Sequence, residues 1–327
     1  MRIFSGIQPT GAIHIGNYAG AIQNWVRLQD EHECIFCICD YHALTTVNDG
    51  ERLRRQVAEA ALDLLACGLD TEKCRLFVQS QVPEHTELAW ILSCCASMGE
   101  LNRMTQFKEK SEHTDFINAG LFTYPILMAA DILLYKAELV PVGEDQLQHL
   151  EVARVFARHF NNVFGQTFPE PQSRLTAATR VMALNDPSKK MSKSIPGSTI
   201  MLTDSDEVIR RQIKKAVTDV GGAGEAMSPG VANLFNLLKI FSASETVEFF
   251  EEQYKSGSLR YGDLKKTLGD DIAAKLGVIR ERRAELAKDP DLVEDMLNDS
   301  AKQVRRLART TLDEVREKVG YSPIKSC

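Results

Sequence analysis

The chain of 327 residues predicts an α/β fold: a Rossmann-like parallel sheet with helices on both faces, followed by an all-helical C-terminal domain. Three observations predict it. Through the first half, short apolar strands alternate with helical periodicity, the pattern that yields parallel strands joined by crossover helices. The first strand runs directly into a glycine-bearing loop and then into a helix start. From Asp204 onward the strand signals stop and only helical spacing remains. The expected division is a Rossmann-type domain over 1–185 with a polar excursion near 101–120, a lysine-bearing loop over 186–203, and a helical domain over 204–327 ending in a long helix.

Taken in order, Met1 to Ser5 is a strand, and Gly6, Pro9 and Gly11 mark the loop that follows. Ala19, Ile22, Trp25 and Val26 then recur at helical spacing. A strand, a glycine turn and a helix N-terminus together suit an anion, because first-turn amides have no partner within the helix and the macrodipole favours negative charge. Gly16 lets a planar ring lie against the backbone, and His14 can donate to phosphate oxygens. A nucleotide site at the start of the chain is the expectation. A second strand, Cys34 to Cys39, ends in Asp40-Tyr41-His42. A helix runs from Asp49 or Gly50 to Cys67 and is closed by Gly68. The strand Arg75 to Gln79 follows, and Pro83-Glu84 opens a helix through Cys95. In such sheets ligands sit beyond the carboxyl ends of the strands, where Gln8, Asp40 and His42 would project.

Residues 101–120 are polar and charged (Arg103, Gln106, Lys108, Glu109, Lys110, Glu112) and interrupt the alternation. A helix over Leu121 to Tyr135 and a strand over Leu139 to Val142 resume it. Gly143-Glu144-Asp145-Gln146 opens a helix to Phe160, Arg174 to Leu184 closes the sheet, and Asp186 to Gly197 is a polar loop. The remainder reads as helices over Asp206 to Val217, Val231 to Phe241, Ser244 to Tyr254, Tyr261 to Lys288 and Asp291 to Val319. Gly221-Gly222-Ala223-Gly224 serves as a connector.

Composition narrows the class. With 44% hydrophobic and 26% charged residues the chain reads as soluble and globular. A formal net charge of -6 places any nucleic-acid role on local basic faces rather than on bulk charge. Lys302, Arg305, Arg306 and Arg309 form one such candidate face, and Arg210, Arg211, Lys214 and Lys215 another. No signal peptide opens the chain and no long apolar run predicts a membrane span. Eight cysteines without a secretory signal point to reduced thiols in the cytoplasm. In the second strand Cys37 and Cys39 share one face and Cys34 takes the other, so they cannot converge on a metal. Adjacent Cys94 and Cys95 read as packing residues.

Two further stretches carry chemistry. Lys189-Lys190-Met191-Ser192-Lys193-Ser194 lies between Pro187 and Pro196. Phosphoryl and nucleotidyl transfer is driven mostly by positioning and by positive charge placed where negative charge grows. A lysine loop paired with a glycine-lined anion site meets that need, and no Walker A pattern is present. Asp131, inside Tyr124-Pro125-Ile126-Leu127-Met128-Ala129-Ala130-Asp131-Ile132-Leu133-Leu134, is a carboxylate in an apolar helix and needs a donor.

The pair His14-Ile15-Gly16-Asn17 and Lys190-Met191-Ser192-Lys193-Ser194 resembles the HIGH and KMSKS signatures of class I aminoacyl-tRNA synthetases. Gly6 to Gly11, Arg103 to Ser111, Met128 to Leu133 and Pro141 to Gln146 are similar to the tryptophanyl branch of that family, so the resemblance spans essentially the whole chain. Asn17 stands where the general signature has a second histidine, as is typical of that branch. The resemblance implies two steps: tryptophan carboxylate attacks the α-phosphate of ATP, and the acyl group then passes to the terminal ribose of tRNA(Trp). It implies His14, Lys190 and Lys193 as catalytic residues. Gln8, Pro9, Thr10, Gly16, Asn17, Gly143, Glu144, Asp145, Val181 and the loop Lys190, Met191, Ser192, Lys193, Ser194 would contact ATP. Asp131 would accept the indole N–H and thereby exclude phenylalanine. Met128 and Val142 would pack the ring, Tyr124 and Gln146 would hold the ammonium, and His42 would close the pocket. Mg²⁺ would arrive with ATP. Some relatives hold an iron–sulfur cluster through four cysteines, but here Cys327 is the only cysteine beyond Cys95, so neither cluster nor zinc is expected. A homodimer with anticodon recognition in the helical domain is implied. The competing readings are a small-molecule adenylyltransferase, a tyrosyl-type synthetase and a catalytically silent RNA-binding paralogue.

Overall fold

The structure, a computed structural model, describes residues 1–104, 117–143, 146–175, 181–193, 195–218 and 227–321. Five parallel strands form one sheet in the order β3-β2-β1-β4-β5: β1 Arg2–Ile7, β2 Glu33–Ile38, β3 Cys74–Val78, β4 Leu139–Val142 and β5 Gln172–Leu175. Side chains of a strand alternate between faces, and here both faces are covered. Ile3, Cys34, Phe36, Ile38, Cys74, Leu76 and Leu139 enter one buried cluster. Phe4, Ile35, Cys37, Cys39, Phe77 and Val140 enter the other. Cys34 therefore points away from Cys37 and Cys39, as alternation requires. Trp25, stacked on Phe36 at 4.7 Å, anchors the first crossover helix to its face.

Helices and strands fall where the periodicity puts them, with the ends shifted by a few residues. The helix capped by Asp49 covers Gly50–Ala66, and Asp49 accepts from the Glu51 and Arg52 amides. The apolar helix covers Ala119–Leu133, and the helix after Gln146 runs on to Phe164, as Leu147–Phe164. The closing strand needs correction. It occupies Gln172–Leu175, while residues 176–180 lie outside the described set. Beyond them Met182 makes only an isolated antiparallel bridge to Lys190. That chain pairs with the lysine loop rather than with the sheet, because Ala183 N–H donates to Lys189 O and Met191 N–H to Val181 O.

The polar excursion lies outside the described residues over 105–116, as does the Gly221–Gly224 connector. Further on, Asp206–Lys215, Pro229–Phe241, Ser244–Lys255, Tyr261–Leu286 and Pro290–Lys318 are helices. The first buried cluster continues from the sheet into these helices through Ile209, Leu234, Leu264 and Leu276. The last helix turns back, seating Val304, Ala308, Leu312 and Val315 in the second cluster.

That return engages part of one of the expected basic faces, while Lys302, Arg306 and Arg309 stay exposed. Arg305 and Arg309 donate to the buried Glu84 carboxylate at 2.8 and 3.0 Å, Lys302 pairs with Asp299, and Arg316 pairs with Glu87. Burial alone would raise the Glu84 carboxyl, but the two arginines hold it below its ordinary value. Each fully buried aliphatic side chain stabilises by about 1.5–3 kcal/mol, and a half-exposed pair such as Arg316–Glu87 by about 0.2–1 kcal/mol. The apolar stripe therefore holds the helix and the ion pairs choose its register. On the second face Arg210 pairs with Asp270.

Candidate functional site

A cavity of about 370 Å³ opens beyond the carboxyl ends of β1 and β4. Chain order reverses between these neighbours, so this is the switch point where open α/β sheets bind ligands. The end of β1 and Gln8 supply one wall, and Pro141, Val142, Gly143 and Gln146 supply another. The first helix begins as Ile15–Asn17, passes through a π-helical turn Tyr18–Ile22 and continues as Gln23–Leu28. Its Asn17, Ala21 and Trp25, four residues apart, all face the cavity. His42, Tyr124, Met128 and Asp131 complete the lining.

Asp131 is ionised at the bottom of this cavity. Its side chain is 3% exposed. Burial works against the charge, but His85 and His42 more than offset it and hold the carboxyl well below the usual carboxylate range. Oδ2 accepts from His42 Nε2 at 2.8 Å. Oδ1 accepts from Gln79 Nε2 at 2.7 Å and His85 Nδ1 at 2.6 Å. Tyr124 Oη meets His149 Nε2 at 2.6 Å and stands edge-on to His42. Lined mainly by apolar groups with, among the described residues, one carboxylate acceptor, the cavity suits a planar apolar ring that carries an N–H.

The anion side is assembled by segments far apart in sequence. Ile15 N–H donates to Ile200 O and Leu202 N–H to Ile13 O, stitching the exit of the lysine loop to the glycine loop. A Cβ built on Gly11, whose φ of 117° suits only glycine, would lie 3.6 Å from Lys193 Nζ. A Cβ on Gly16 would press to 2.9 Å from the His14 ring and 3.4 Å from Met191 Sδ. His14 Nδ1 accepts from the Gly16 amide at 3.1 Å, so the neutral ring carries its proton on Nε2, available to an oxyanion. Burial, then the ammonium charges of Lys193 and Lys190, lower the His14 pKa to about 4. Lys193 is itself shifted down by desolvation, against the pull of Asp63.

The expected residues divide between these two halves. His42, Tyr124, Met128, Asp131, Val142 and Gln146 line the cavity with Gln8, Asn17 and Gly143. His14, Gly16, Lys190 and Lys193 gather at the anion side. Asn17 joins the halves, because its Oδ1 accepts from the His14 amide. Pro9 is buried and Thr10 exposed. Val181 and Met191 are buried and bonded to each other through the backbone, which sets the path of the loop. Ser192 O accepts from Ser198 Oγ at 2.7 Å. Asp40 does not line the cavity; it accepts from the Ser80 and Tyr41 amides. Glu144, Asp145 and Ser194 lie outside the described residues.

Gln79, Asp63, His85 and the Tyr124 partner His149 are buried polar residues that the sequence did not single out. Gln79 follows β3 directly, so the carboxyl-edge rule that picks out Gln8 was available for it. Asp63 lies between Ala60, Ala61 and Leu64 on the apolar face of its helix; it pairs with Arg283 and accepts from the Ile13 amide. His85 had no sequence signal beyond a polar residue on the face of its helix shared by Leu88 and Leu92.

A family model described as tRNA synthetases class I (W and Y) matches residues 1–277. The chain is 47% identical over 325 residues to a tryptophan--tRNA ligase of Helicobacter pylori, covering 98% of each. Tryptophanyl-tRNA synthetase of Campylobacter jejuni, solved in complex with ADP and tryptophan, superposes with a TM-score of 0.86 at 36% identity over 98% of this chain and 100% of that one. The Mycoplasma pneumoniae tryptophanyl-tRNA synthetase does so at 0.89 with 34% identity over 98% of both.

Proposed function

We infer the function from one premise: the chain belongs to the class I tRNA synthetases of the tryptophan and tyrosine group. On that premise it is a tryptophan–tRNA ligase. The carboxylate of tryptophan attacks the α-phosphorus of ATP, the bond to the β-phosphate oxygen breaks, and pyrophosphate leaves. The tryptophanyl group then passes from the adenylate to the terminal ribose of tRNA(Trp). The observation that supports this reading is that Gly11 and Lys193 meet beside His14, whose amide donates to Asn17, a residue that also lines the cavity holding the Asp131 carboxylate.

The roles are those that the family resemblance implies, and the contacts described above support them. Asp131 accepts the indole N–H, Met128 and Val142 flank the ring, His42 closes the pocket, and Tyr124 and Gln146 take the ammonium end. A ligand lacking the N–H leaves a buried acceptor unpaired, which such sites reject strongly. His14 Nε2–H and the ammonium groups of Lys190 and Lys193 meet the charge that develops on the triphosphate. Gln8, Pro9, Thr10, Gly16, Asn17, Gly143, Glu144, Asp145, Val181, Met191, Ser192 and Ser194 frame the nucleotide. Mg²⁺ accompanies ATP and is held by phosphate oxygens and water. Among the described residues no group of three His, Cys, Asp or Glu is arranged to hold a metal ion.

The helices after Asp204 take the anticodon end of tRNA, with Arg211, Lys214 and Lys215 the candidate contacts. We place the protein in the cytoplasm as a homodimer. Exposed Trp90 and Met98 are candidates for the covered face, and sedimentation checks the assembly. Amino-acid-dependent pyrophosphate exchange tests the function: stimulation by tryptophan alone is expected, and stimulation by tyrosine, or none, overturns it.

A further inference from the structure

The two oxygens of Asp131 have different surroundings. Oδ1 is bonded to Gln79 and His85, neither of which lines the cavity. Oδ2 is bonded to His42, which does. Each carboxylate oxygen offers two lone-pair sites, so Oδ1 is filled while Oδ2 keeps one site open. We propose that His85 is a positioning residue for amino-acid selection: braced by Tyr135, it anchors Oδ1 so that the free lone pair of Oδ2 is aimed at the N–H of the substrate ring. The inference rests on the tryptophan reading above.

The brace is buried and packed. His85 and Tyr135 are both fully buried. His85 Nδ1 is 2.6 Å from Asp131 and its Nε2 is 2.7 Å from Tyr135 Oη. A carboxylate only accepts, so His85 must present Nδ1–H to it whether the ring is neutral or charged. In the neutral ring Nε2 is then the acceptor for the phenol. Burial drives the Tyr135 pKa well above its ordinary value, so that hydroxyl keeps a proton to give. The rings cannot turn: His85 lies on Phe77 at 5.9 Å, and Tyr135 is stacked on Phe4 at 5.6 Å and meets Phe77 edge-on. Without His85, Oδ1 keeps only Gln79 and Oδ2 only His42, so the carboxylate plane is held less firmly and Oδ2 can swing off the substrate.

The test compares tryptophan with its benzothiophene isostere, in which sulfur replaces the ring N–H, by pyrophosphate exchange on the full chain. The readout is the ratio of kcat/KM for the two amino acids. His85→Leu is expected to lower the ratio about 10- to 100-fold, the size of a lost hydrogen bond to a charged group. The loss should fall on KM for tryptophan and leave the isostere unmoved. His85→Asn, which keeps a donor near Nδ1, should retain the ratio. Tyr135→Phe, which removes only the brace, should lower it about 3- to 10-fold and covers the case in which the leucine variant does not fold. An unchanged ratio in either His85→Leu or Tyr135→Phe, or an equal loss for both substrates, overturns the role given to His85. A wild-type enzyme that does not distinguish the two amino acids sinks the underlying Asp131 reading instead, and Asp131→Asn locates that failure.

Discussion

Acid should destabilise this protein through His14, and one substitution isolates the effect. His14 caps the first helix and is 7% exposed. Burial and two neighbouring lysines place its pKa at about 4, against 6.5 for a free imidazole. Between those values the unfolded chain binds a proton that the folded chain refuses, so stability rises with pH across the window. The contribution is complete above about 6.5, falls as the pH is lowered, and levels off below about 4. At ~1.36 kcal/mol per pH unit the window is worth about 3 kcal/mol, a sizeable part of a typical folding free energy of about 5–15 kcal/mol. His14→Asn removes the titration and keeps the cap, because Asn Oδ1 occupies the place of Nδ1 and Asn is a favoured N-cap. Urea denaturation from pH 4 to 7.5 measures both proteins, and all other titrations cancel in the difference. Wild type should lose about 3 kcal/mol more than the variant. Parallel curves would refute the placement of a neutral imidazole beside the two lysines.

Lys193→Gln should lower kcat for pyrophosphate exchange by about 10²- to 10³-fold, the scale of one lost transition-state donor, with KM for tryptophan unchanged in steady-state assays. Gly16→Ala should displace the His14 ring and raise KM for ATP roughly 10-fold, with an unaltered circular dichroism spectrum; an unchanged KM would contradict the close approach at that glycine. Glu84→Gln leaves Arg305 and Arg309 without their shared charge and should lower stability by about 1–3 kcal/mol, read from the denaturant midpoint, without changing exchange activity.

Much of the catalytic unit was legible in one dimension. The alternation of Cys34 through Cys39, the Asp49 cap and the four-residue β4 were all readable, because strand and helix periodicities are local properties of neighbouring residues. The glycine loop and the lysine loop announced anion chemistry separately, since each carries its chemistry within a few positions. The boundary of the last strand was not legible: Val181 to Leu184 has a strand-like composition, but its hydrogen bonds go to Lys189, Met191 and Ser198, a choice made by the neighbouring loop.

The basic stripe of the final helix was legible as a stripe, but helical spacing could not say that Arg305 and Arg309 meet the buried Glu84 while Lys302 and Arg306 face water. By itself the sequence determined the elements, their parallel arrangement and the residue types at the two halves of the site. Only the tertiary structure decided that Lys193 stands against Gly11, and that Asp131 is ionised between His42, Gln79 and His85. Those partners lie 89, 52 and 46 positions from Asp131 along the chain. Charge state and reach depend on distance in space and on the exclusion of water, neither of which is encoded in the spacing of residues along a chain.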